Sequence, residues 1–107
     1  MTTFDERERG LEEKFAHDQA QEFKATARRN RLLGLWAGGL MGLEGPHLTD
    51  YAAAVVRSEV VLPGDEDVLR KLARDLSGSR LKITEDQVRA KMDELQAVAR
   101  QQIQDGL

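Results

Sequence analysis

The sequence predicts an all-α protein, a small four-helix bundle with a mobile, helix-capable N-terminal extension. Three observations lead there. Apolar residues recur at helical spacing along most of the chain, no stretch alternates as a half-exposed strand must, and the periodic runs break at Gly45-Pro46, Pro63-Gly64 and Ser77-Gly78-Ser79. A chain of 107 residues has room for one small core. We divide it into an N-terminal segment, 1–21, and a bundle domain, 22–107.

In the first segment the large apolar residues Phe4, Leu11 and Phe15 are spaced i, i+7, i+11, which makes one narrow helical stripe. Gly10 interrupts it at a cost of about 1 kcal/mol, so this segment reads as helix-capable but frayed. From Phe23 the pattern thickens. Phe23, Ala27, Leu32, Leu33, Leu35, Trp36, Leu40, Met41 and Leu43 predict a helix over 22–43, apolar nearly all round in its second half and hence central to the core, with Trp36 buried in it. Gly34, Gly38 and Gly42 share a face, which suits close approach by another helix, while Gly39 beside Gly38 weakens the helix there.

Gly45-Pro46 ends that helix and starts the next, over 47–61. Leu48, Tyr51, Ala52, Val55, Val56 and Glu59 recur along it until Val60-Val61-Leu62-Pro63-Gly64 breaks the run. The β-branched pairs favour a strand, but Ala52-Ala53-Ala54 and the i, i+4 spacing decide for a helix. Asp65-Glu66-Asp67 places negative charge at the start of a third helix over 66–77, along Val68, Leu69, Leu72, Ala73 and Leu76. Thr84-Glu85-Asp86-Gln87 matches a capping box, with Ile83 placed to staple onto Val88, and opens a last helix over 85–104 along Val88, Met92, Leu95, Ala99 and Ile103.

Several function classes are disfavoured. The formal charge of -3 lacks the basic excess of a nucleic-acid binder. With no Cys there is no disulfide framework or thiolate metal site, which suits a reducing, cytoplasmic setting. The N-terminus is charged from Asp5 on, unlike a secretory signal, and the longest uncharged run, 32–43, falls short of the roughly 20 residues of a membrane span. His17 and His47 lie on different elements without metal-ligand spacing, and Gly64-Asp65-Glu66-Asp67 lacks the alternating ligands of a calcium loop. No phosphate loop or nucleophile elbow is present, so we expect no enzyme, no cofactor and no metal.

One charge feature stands out. Residues 23–31 carry Lys24, Arg28, Arg29 and Arg31 with no acid, next to an acidic first segment. A solvated helix face accounts for the cluster most simply. The alternative is a small helical nucleic-acid-binding regulator using that patch, although in a helix-turn-helix made of 66–77 and 85–104 the acids Glu85, Asp86, Asp93 and Glu94 would oppose phosphates.

Lys14-Phe15-Ala16-His17-Asp18 and the run from Phe23-Lys24-Ala25-Thr26 through Arg28-Arg29-Asn30-Arg31 to Gly34-Leu35-Trp36-Ala37 resemble the zeta-subunit family, the ATPase inhibitor subunits of alphaproteobacterial F-type ATP synthases. The similarity continues through Gly64-Asp65-Glu66-Asp67-Val68-Leu69-Arg70-Lys71 and from Ile83 to Leu95; Gly38-Gly39 departs from it, where helix formers are more usual. The resemblance implies a protein inhibitor whose N-terminal segment folds into a helix on entering a catalytic interface of the ATP synthase head, made of alpha, beta and gamma subunits. It would wedge that interface against hydrolytic rotation, without chemistry of its own. Phe4, Arg7, Arg9, Leu11, Lys14 and Phe15 are then the expected partner-binding residues, with Lys24, Arg28 and Arg29 a secondary contact. We further expect a monomer that binds no nucleic acid and does not insert into the membrane, cytoplasmic and, as the resemblance implies, peripheral at the inner face of the plasma membrane when bound to the synthase.

Overall fold

The computed structural model describes residues 2–59 and 64–107, with side chains from Arg7 onward. Among the described residues four helices account for the fold: α1 (Thr2–Leu40), α2 (Gly45–Arg57), α3 (Glu66–Ser77) and α4 (Glu85–Gln104). The all-α, four-helix expectation holds, and the ends of α3 and α4 fall where the sequence puts them. α2 ends at Arg57, short of the expected bound; Val60 and Val61 lie outside the described residues.

α1 is the main departure. It runs unbroken for 39 residues through both the expected extension and the first bundle helix. Propagation explains this: once the bundle half is nucleated, each added residue gains a hydrogen bond, and residues 11–22 are rich in the good helix formers Glu, Ala, Gln and Lys. At about 1.5 Å per residue such a helix spans about 58 Å, most of the molecule's 65 Å long axis.

Only from Ala25 does α1 enter the core. Leu33 and Ala37 meet Val55 of α2, Val68, Leu69, Leu72 and Leu76 of α3, and Val88 and Met92 of α4. Two expectations are corrected here. Phe23 stays outside the core, 76% exposed, because it lies about 200° round the helix from Ala25. Trp36 packs on the rim of the core, partly buried, with the Lys91 ammonium 5.7 Å from its ring centroid.

The glycines of α1 divide their work. A Cβ at Gly34 would fall 2.5 Å from the Ala52 Cα, and one at Gly38 would fall 2.6 Å from the Leu48 Cδ1, so both admit α2 as expected. Gly42 does something else. At φ +83° it closes the helix, with its N–H donating to the Gly39 carbonyl (3.1 Å) and the Leu43 N–H donating to the Gly38 carbonyl (2.9 Å). The Gly38-Gly39 pair does not interrupt α1, which ends at Leu40 instead of the expected 43.

At α4 the capping box forms as expected: the Gln87 N–H donates to the Thr84 hydroxyl (3.1 Å) and the Thr84 N–H donates to the Gln87 side chain (2.8 Å). Ile83 packs partly buried against the core that contains Val88. Asp65 differs. It stands at the N-cap of α3, yet its side chain caps nothing and turns to α1.

Candidate functional site

On α1, Leu11, Phe15, Glu22, Arg29 and Leu33 fall within about 40° of one another. The apolar stripe of the N-terminal segment therefore continues the face that the bundle half turns toward α4. Glu22 is the outermost tether between the two helices. Its carboxylate accepts from both Nη2 (2.6 Å) and Nε of Arg100 and from Gln96 (3.2 Å). The Arg100 guanidinium holds the Glu22 carboxyl below the usual carboxylate range.

α4 ends at Gln104, beside a hollow of about 390 Å³ lined by His17, Asp18, Gln21, Glu22, Ile103 and Gln104. Beyond that hollow nothing described covers α1. Every residue from 7 to 20 is exposed, Leu11 at 70% and Phe15 at 64%. Arg7, Arg9 and Lys14 are exposed on the same stretch. The Phe4 side chain lies outside the described residues.

The expected secondary contact does not hold together as one surface. Lys24 is exposed, and Arg28 is partly buried and donates to a backbone oxygen of Leu107. Arg29 is the correction. It is only 3% exposed and directed inward, because its position on the α4-facing side of α1 leaves its guanidinium no route to solvent. There it donates to the Asn30 side chain (2.8 Å) and to Gln96 (2.9 Å), and pairs with Asp65 (2.9 Å) and Glu59 (3.5 Å). Asn30, equally buried, donates to Glu59 (2.6 Å).

This network ties α1 to the residues flanking the α2–α3 connection and to α4. Sequence reasoning missed it, although a signal exists: Arg29 sits four residues from both Ala25 and Leu33, in step with the inward face. His17 lines the hollow and His47 is exposed. Among the described residues no group of three His, Asp or Glu side chains could hold a metal ion.

Comparison with known proteins adds the family. The description of ATPase inhibitor subunit zeta matches residues 1–102, nearly the whole chain and both halves of α1. The chain belongs to the ATPase inhibitor subunit zeta family. A solution NMR structure is similar at 46% identity and a TM-score of 0.70, over 80% of this zeta-family chain and 98% of the other. The comparison with curated proteins gave no match. Membership supports an ATP synthase inhibitor role for this zeta-family chain. Among its described residues no helix is long and apolar enough to cross a membrane.

Proposed function

We propose that the chain inhibits ATP hydrolysis by an F-type ATP synthase by lodging its N-terminal segment in a catalytic interface of the head, among the alpha, beta and gamma subunits, as a monomer peripheral to the membrane. The observation that carries this reading is the uncovered half of α1. Leu11 and Phe15 stand out from a helix whose continuation is fixed in the bundle, so a groove in a partner can receive them as helix-borne anchors. Phe4 extends the same stripe, with Arg7 and Lys14 beside it and Arg9 on the opposite side of the helix. Catalysis is no part of the proposal, since an occupied interface that cannot close stops turnover without any reacting group.

The test compares the full chain with a variant lacking residues 2–16, each added to an ATP synthase head hydrolysing ATP. The full chain suppresses hydrolysis, and the shortened chain does not while keeping its helical content and cooperative unfolding, because the core begins at Ala25. Equal inhibition by both chains places the inhibitory element elsewhere and refutes the proposal. The nucleic-acid alternative loses ground with Arg29 turned inward, since the four-cation patch is reduced to three.

A further inference from the structure

Phe23 is left unexplained by the fold and by the inhibitory stripe. It is 76% exposed, and Leu107 is 72% exposed. These two side chains, with Ala27, Val56 and Ile103, line a groove of about 720 Å³ where α1, α2, the end of α4 and the residues after it meet. Lys24, Arg28 and Arg31 stand along the groove, and among the described residues no acidic side chain lines it.

The cations differ in their engagement. Arg28 is occupied by Leu107, whereas among the described residues Lys24 and Arg31 form no ion pair. Asp105, the nearest acid in sequence to this end of the groove, accepts from Gln101 (2.9 Å). Lys24, Ala27 and Arg31 lie about 170° round α1 from the Leu11 and Phe15 stripe. A partner on one face therefore leaves the other accessible.

We propose that this groove is a docking site for an acidic amphipathic helix. Its apolar side chains would cover Phe23, Ala27, Val56 and Leu107, and its carboxylates would reach Lys24 and Arg31. Charge decides the occupant: cations without acids along an apolar floor favour a helix that pairs apolar side chains with Asp or Glu and repel a basic one. A nucleic-acid backbone suits the site less, because phosphates bring no apolar surface to Phe23 and Leu107. The inference does not depend on the inhibitory reading of the N-terminal segment.

The probe is a synthetic amphipathic peptide of Leu, Ala and Glu titrated into the full chain, with a peptide of the same pattern in which Lys replaces Glu. Amide shifts should move for Phe23, Ala27, Val56 and Leu107 with the Glu peptide and stay fixed with the Lys peptide. Phe23→Asp, at an exposed position that leaves the core intact, should weaken binding by about tenfold or more. Lys24→Glu with Arg31→Glu should weaken the Glu peptide and admit the Lys peptide. Absence of shifts, shifts confined to other faces, equal response to both peptides, or tighter binding of an oligonucleotide or an anionic vesicle overturns the proposal.

Discussion

Replacing Gly34 by Ala sets two effects against each other on a single helix. A Cβ there would lie 2.5 Å from the Ala52 Cα, 3.1 Å from its Cβ and 3.3 Å from its N. Carbon atoms in ordinary contact sit about 3.5–4.0 Å apart, so α1 and α2 must separate by about 1 Å. Two of the three obstructing atoms are backbone, and no rotamer change relieves them. Overpacking of this kind costs about 1–3 kcal/mol, and here the upper end applies because separation also loosens Leu33 and Val55. Ala in place of Gly offsets about 1 kcal/mol through helix propensity.

The expected net loss is therefore about 1–2 kcal/mol, read as a lower denaturation midpoint at unchanged slope. Gly39→Ala is the internal control. A Cβ at that position meets nothing within 4 Å, so the same change five residues further along should stabilise by about 0.5–1 kcal/mol. If Gly34→Ala proves as stable as Gly39→Ala, the close approach of α2 is not a determinant of stability and the packing argument fails.

Arg29→Ala should cost about 3 kcal/mol in denaturant unfolding, because it leaves the Asn30, Gln96 and Glu59 groups without their common donor, and Arg29→Lys should recover only part of this. Burial and the hydrogen bond to Asp75 (2.7 Å) push the Tyr51 phenol above its usual range. Its stabilising share is thus present below the unfolded value of about pH 10 and lost as pH rises through the folded value; Tyr51→Phe should flatten that alkaline loss in a pH series of thermal unfolding. Glu22 acts at the other end of the scale. Held low by Arg100, it contributes above the ordinary value of 4.5 and loses that contribution as pH falls through its folded value, so Glu22→Gln should remove part of the acid limb. In ATP hydrolysis assays Phe15→Ala should weaken inhibition by about 2 kcal/mol, and Glu8→Gln by about 1 kcal/mol or less with strong salt dependence. A reversed ranking would show that charge carries the binding.

Periodicity was enough to recover most of the fold. α3 and α4 were legible to the residue because each begins at an acidic or capping-box start and repeats apolar residues on one side only. Gly34 and Gly38 were legible as an approach face for the same reason. Trp36 and Phe23 were not. A helix that is apolar over most of its circumference does not reveal which side meets its neighbours; Phe23 sits away from that side, and Trp36 sits at its rim. The candidate stripe is visible as Leu11 and Phe15, but its alignment with Glu22, Arg29 and Leu33 depends on α1 running unbroken past residue 21, where the thin apolar stripe of the first segment predicts fraying instead. Charge alone groups Arg29 with its neighbours, although its spacing from Ala25 and Leu33 places it on the other side of the helix from Lys24 and Arg31.

The continuity of α1 has an energetic consequence for binding. An isolated helix of about 20 residues with one thin apolar stripe is marginal in water, since its nucleus is costly and little surface is buried. Joined to a folded bundle, the segment needs no separate nucleus, and fraying starts only from its free end. Glu22 and Arg100 set the last point at which the bundle holds it, about two turns before Phe15. A partner that takes Phe15 and Leu11 thus orders fewer residues than it would with an unattached peptide of the same sequence, and the ordering cost subtracted from affinity is smaller. The face presented is also fixed, because the stripe inherits its direction from residues locked against α4. Loosening Glu22 from Arg100 should therefore weaken inhibition even though neither side chain belongs to the stripe, and it should do so most where the partner groove admits only one orientation of the helix.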